Sequence, residues 1–135
     1  MTAITTGATL EWRRALEFDA RTGRSQFVLD GDGAAGPSPV ELLAAALAGC
    51  MAVDVVDIVT KGRHAIRSLR AELAAERAAD PPRRVTAVRL HFVLSGQVPT
   101  GAVDRALQLS RDKYCSVWHS FRQDIPLAAT FEVRP

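Results

Sequence analysis

The segment from Ser38 to Lys61 constrains this chain more than any other. Ser38 suits a helix N-cap, Pro39 the first helical position, and Glu41, three residues after the cap, completes the form of a capping box. A helix is expected from there to about Lys61, where Gly62 and the basic Lys61 and Arg63 suit a C-terminus. After Glu41 its first turns, Leu42-Leu-Ala-Ala-Ala-Leu-Ala-Gly-Cys50, are apolar on every side. A helix without a polar face has to be buried all round. In a chain of 135 residues that means a sheet on one side and a second subunit on the other, because a small domain buries a smaller share of its surface. The longest apolar run, Leu42 to Val53, falls well short of the roughly 20 residues needed to cross a bilayer.

The remaining segments read mostly as strands. Leu10, Trp12, Leu16 and Phe18 alternate with polar residues, predicting a half-buried strand over Ala8 to Phe18. Arg21-Thr-Gly23 reads as a turn and Ser25 to Asp30 as the returning strand of a hairpin. Gly31 to Pro37 is a Gly- and Pro-rich loop with no side chain expected to anchor it. Beyond the helix, Ile66 to Arg77 and Val85 to Ser95 read as strands separated by a turn at Ala78-Ala-Asp-Pro-Pro82. Pro99 to Lys113 reads as a helix with Val103, Ala106, Leu107 and Ser110 on one face. A second short helix is expected to carry Cys115 to Arg122, and Leu127 to Val133 closes the chain as a strand. The expected class is α+β, in the order β-β-α-β-β-α-α-β, as a single domain over 1–135.

An apolar fraction of 47% with 24% charged residues describes a globular chain, and a net charge of +2 with scattered arginines gives no basic face for nucleic acid. The N-terminal ten residues have no basic head followed by an apolar segment, so no signal peptide is expected. The expectation is a cytoplasmic protein with no membrane or nucleic-acid partner, whose thiols stay reduced unless they cycle.

Cys50 and Cys115 are the only cysteines. Cys50 is either a small buried hydrophobe or a nucleophile, and the second role needs positive charge or donors beside the sulfur. Asp54 and Asp57 follow on the same helix face and disfavour a thiolate, so an activating arginine has to come from elsewhere, with Arg21 and Arg24 of the first hairpin as candidates. Cys115 has His119 one helical turn on, a spacing that serves a nucleophile with its base, half of a metal site, or neither. Trp12 and Trp118 are most simply core or interface aromatics.

The run Gly36-Pro-Ser-Pro-Val-Glu-Leu-Leu-Ala-Ala-Ala-Leu-Ala-Gly-Cys50, followed far downstream by Lys113-Tyr-Cys-Ser-Val117, resembles the OsmC/Ohr family over essentially the whole chain, and the stretch Met51 to Asp57 is similar to its YhfA-like branch. The resemblance implies antiparallel sheets around a buried central helix in an intertwined homodimer, with two active sites at the subunit interface. It implies a thiol peroxidase acting on organic hydroperoxides, and in some relatives on hydrogen peroxide. Cys50 would be the peroxidatic thiol and Cys115 the resolving one, with a dithiol reductant regenerating both and no cofactor or metal. An arginine of the first hairpin, Arg24 ahead of Arg21, would stabilise the thiolate, and Glu41 would hold that arginine. The pattern places Val40 where peroxidases of the family carry the glutamate, and Ser116 where many carry a proline. The same dimer without the clamp would serve as a redox-sensing or apolar-ligand-binding protein.

Overall fold

Alternating apolar and polar residues produce two three-stranded sheets, and one long helix separates them in sequence. The computed structural model describes residues 2–135. Its elements are β1 (Thr9–Arg14), β2 (Glu17–Thr22), β3 (Ser25–Asp30), α1 (Pro39–Lys61), β4 (Ala65–Arg77), β5 (Val85–Gln97), α2 (Thr100–Leu109), a π-turn (Ser110–Tyr114), α3 (Ser116–His119) and β6 (Leu127–Arg134). The sheets are β1-β2-β3 and β4-β5-β6. The class is α+β, as expected. The chain divides into two compact units, one ending at Leu43 and one running Ala44–Pro135.

In the N-terminal unit the stretch expected to be one strand is two. Ala15 and Leu16 form a tight turn in which Ala15 takes φ 45°, and pairing resumes with Trp12 opposite Phe18 and Arg14 opposite Glu17. Left-handed turn positions favour Gly, Asn or Asp, so an alanine there gives no warning in the sequence. The Trp12 indole N–H donates to the Ala15 carbonyl at 2.9 Å, holding the turn. The element order therefore opens with three strands where the sequence predicts two.

The loop after β3 is anchored, contrary to expectation. The buried Asp30 carboxylate accepts the N–H groups of Asp32 (2.9 Å), Ala34 (3.3 Å) and Ala35 (2.9 Å). Such turn-forming bonds are what Asp side chains offer their own backbone. Gly36 completes the loop, because a Cβ there would collide with the Val28 carbonyl oxygen. The capping box then forms as predicted: the Ser38 N–H donates to Glu41 Oε1 at 3.0 Å, and the Glu41 N–H donates to Ser38 Oγ at 3.2 Å.

In the C-terminal unit α1 buries Leu47, Met51, Val55 and Val59, a stripe at four-residue spacing. Across the core stand Val88, Leu90, Phe92 and Leu94, alternate residues of the central strand β5. Each fully buried side chain of this size contributes about 1.5–3 kcal/mol of transfer free energy. β4 pairs with β5 antiparallel, with Ala71 opposite Phe92. β6 pairs with β5 in parallel, with Phe92 opposite Phe131, which departs from the all-antiparallel expectation. The intervening α2, π-turn and α3 supply the crossover that a parallel pair requires.

The single chain does not bury α1 on every side. Val53 is 67% exposed and Val56 41% exposed. By length and composition alone α1 resembles a membrane span, yet its four-residue stripe is part of the core of this unit.

Backbone donation, led by Ala35, holds the Asp30 carboxyl below its usual 3.8. A depressed folded-state value contributes stability above the unfolded pKa and loses it as pH falls through the folded one. Asp30→Asn is therefore expected to lower the thermal midpoint at pH 7, and the gap from wild type should narrow as pH drops below 3.8 in a calorimetric series.

Candidate active site

Cys50 lies on α1, one residue before the buried Met51, which places it at the margin of the core. It is half-buried and a free thiol. Cys115 is a free thiol with no exposed surface. Each side chain belongs to or packs against the same hydrophobic cluster. The two side chains lie close enough that Cys50 is one of the groups that raise the Cys115 pKa. The fold thus brings near one another two cysteines separated by almost half of the sequence.

Cys115 is not inside a helix, as the sequence predicts, but caps one. Its backbone is extended (φ −74°, ψ 98°) and α3 ends at His119. The reason is the preceding π-turn. The Cys115 N–H donates to the Ser110 carbonyl at 2.8 Å, a five-residue closure that widens the turn and ends the helical run. The Cys115 sulfur accepts the Trp118 N–H at 3.3 Å, in the manner of a Ser or Asp N-cap. Burial pushes the thiol up to about 11; the Trp118 N–H opposes this, and Cys50 and Asp54 add to it. Cys115 is consequently a protonated thiol at neutral pH.

Asp54, one helical turn beyond Cys50, has a role that the sequence did not suggest. Its Oδ2 accepts the Ser110 hydroxyl at 2.7 Å. Ser110 is fully buried and continues the apolar face of Val103, Ala106 and Leu107 on α2. The clue available in the sequence was that hydroxyl on an otherwise apolar face, since a buried polar group requires a partner. Asp57 instead forms a surface ion pair with Lys61 at 2.9 Å.

The remaining candidates have simpler surroundings. His119 is exposed, and its recorded bond to Cys115 is backbone to backbone, 3.0 Å from its N–H to the Cys115 carbonyl. Among the described residues no three His, Cys, Asp or Glu side chains gather as metal ligands would. The carboxylate of Glu41 serves the capping box, and donation from Ser38 holds its pKa low. Arg24 sits exposed in the turn between β2 and β3, and Arg21 pairs with Glu11 at 3.0 Å. Among the described residues neither arginine forms an ion pair with Glu41. Trp118 is a core residue, tilted against Phe121 with ring centroids 5.8 Å apart. Trp12 is 66% exposed.

The profile of the OsmC-like protein family matches residues 30–130. Protein YhfA of Escherichia coli strain K12 is 36% identical over 130 residues, covering 93% of this chain and 96% of that protein. A hypothetical protein from Aquifex aeolicus VF5 superposes with a TM-score of 0.91 at 26% identity, over 98% of each chain. An organic hydroperoxide resistance protein OsmC from Legionella pneumophila shares the fold at a TM-score of 0.70 and 15% identity, over 98% of this chain and 99% of that one.

Alkylation of the native protein at neutral pH is expected to label Cys50 and leave Cys115 free until the chain is unfolded, as read by peptide mass. Because the folded-state Cys115 pKa is raised, its contribution to stability is complete below 9.0 and is lost as pH rises through about 11. The alkaline fall in unfolding midpoint should accordingly be shallower in Cys115→Ala than in wild type.

Proposed function

As this chain belongs to the OsmC family, we propose that it is a thiol-dependent reductase of organic hydroperoxides working through Cys50 and Cys115. The observation that carries the proposal is that a half-buried thiol and a fully buried one meet the same apolar core, near enough for one to raise the pKa of the other. Hydroperoxide-resistance proteins of the same fold support it.

The half-buried Cys50 is the sulfur that a peroxide reaches. Its thiolate attacks the outer oxygen of R–O–OH, the O–O bond breaks, and the alkoxide leaves and takes up a proton as ROH. Cys50 is then a sulfenic acid. The Cys115 sulfur attacks Cys50, its proton and the sulfenic hydroxyl depart together as water, and a disulfide remains. An external dithiol reduces that disulfide by exchange. Burial suits Cys115 to the second role, because a thiol kept protonated and out of solvent does not compete for the peroxide.

Arg24 and Glu41 enter on the family pattern, the first stabilising the Cys50 thiolate and the second orienting that arginine. A homodimer would cover the exposed Val53 and Val56 of α1. A cytoplasmic location fits a centre that needs a reducing partner. One observation favours a different role, a redox-sensing or ligand-binding protein: the Glu41 carboxylate is already engaged at the helix cap, where it accepts the Ser38 N–H.

One equivalent of an organic hydroperoxide is expected to remove two hydrogens from the wild-type mass and leave no free thiol. In Cys115→Ser an oxygen adduct should persist on Cys50, and Cys50→Ser should consume no hydroperoxide. Two free thiols after treatment would overturn the peroxidase in favour of the binding role. Arg24→Ala should slow the first oxidation by about tenfold or more if the arginine stabilises the developing charge.

A further inference from the structure

Two hydrogen bonds connect the helix carrying Cys50 to the backbone of Cys115, and both pass through Ser110. The Ser110 hydroxyl donates to Asp54 Oδ2 at 2.7 Å, and the Ser110 carbonyl accepts the Cys115 N–H at 2.8 Å. Asp54 stands one turn beyond Cys50 on α1. Asp54 and Ser110 therefore link the helix that carries one thiol to the backbone that carries the other.

Packing alone does not account for this arrangement. Position 110 continues the buried stripe of Val103, Ala106 and Leu107, where an alanine would serve. A carboxylate turned toward a fully buried hydroxyl carries a desolvation cost that an apolar pair avoids. What the polar pair adds is direction: a charge-assisted hydrogen bond fixes distance and angle where apolar contact fixes neither. The π-turn adds a second constraint. Its five-residue closure onto Ser110 sets where the chain leaves the helix, and so where the Cys115 sulfur points.

On the reading of Cys50 and Cys115 as a working pair, we propose that Asp54 and Ser110 are positioning residues that align Cys115 with Cys50 and thereby set how readily the two sulfurs close into a disulfide. Neither touches the peroxide. Disulfide formation tolerates little error in sulfur placement, so loss of the clamp through Ser110 acts on closure and leaves the first oxidation of Cys50 unchanged.

Glutathione exchange tests this without any peroxide. Oxidised glutathione forms a mixed disulfide at the half-buried Cys50. The Cys115 sulfur then attacks the Cys50 sulfur, the bond to glutathione breaks, and the departing glutathione sulfur takes the Cys115 proton. Titrating the full-length protein in mixtures of reduced and oxidised glutathione, with acid trapping and mass detection, yields the effective concentration of one thiol at the other. Ser110→Ala and Asp54→Ala are expected to lower it by about tenfold or more, the loss of one charge-assisted hydrogen bond. Asp54→Asn keeps a carbonyl oxygen for the Ser110 hydroxyl and should stay within about threefold of wild type. In reduced Ser110→Ala, which keeps the Asp54 carboxylate, the alkylation rate of Cys50 should be unchanged, a result that a general loss of structure would not permit.

Effective concentrations of both alanine variants within about threefold of wild type would overturn the proposal. So would an Asp54→Asn value as low as that of Asp54→Ala. A wild-type protein that closes the disulfide with glutathione but consumes no hydroperoxide would end the peroxidase reading and leave the positioning role standing. Hydroperoxide turnover with unchanged closure in the variants would do the reverse.

Discussion

Packing of the α1 stripe against the central strand holds the C-terminal unit together and sets the rotation of the helix. Leu47, Met51, Val55 and Val59 recur every four residues and share one core with Val88, Leu90, Phe92 and Leu94. A side chain adjacent to such a stripe turns about 100° away from its centre. Cys50, next to Met51, is thereby held at the edge of the core, half-buried and open to one side. Asp54, one turn on and next to Val55, falls on the same edge, where Ser110 meets it. The site is a consequence of how one apolar helix is rotated.

The two thiols are made unequal by their surroundings. Both are free and both border the same core, yet one has solvent access and the other has none. Burial dominates the titration of Cys115 and outweighs the stabilising Trp118 amide. An amide at a sulfur is commonly associated with activation, but the larger effect wins here, and the result is a protonated thiol withheld from solvent. The division of labour proposed for Cys50 and Cys115 follows from that asymmetry.

Much of the fold was legible from the chain. The capping box at Ser38 and Glu41, the end of α1 at Lys61 and the long strands β4 and β5 all fall where patterning places them, because each depends on neighbours in sequence. The misplaced features depend on backbone states without a residue signature. Ala15 adopts a left-handed turn that alanine does not advertise. Asp30 gathers amides two, four and five residues ahead, a pattern that a glycine-rich loop conceals. The π-turn at Ser110 leaves Cys115 as the cap of the second short helix, whereas the sequence pattern places it inside that helix.

By itself the sequence determined that a capped, almost wholly apolar helix carries Cys50, and that a second cysteine lies on a far segment. Local hydrogen-bonding and hydrophobic periodicity act over a few residues, and a linear reading captures them. Only the tertiary structure decided that the two sulfurs are neighbours and that Cys115 is the buried one. It also decided that Asp54, which along the chain seemed to bear on Cys50, is bonded to Ser110 and bears on Cys115. Those outcomes depend on residues from α1, α2 and the π-turn converging on one core. Desolvation there is a property of the assembled environment, not of any segment within it.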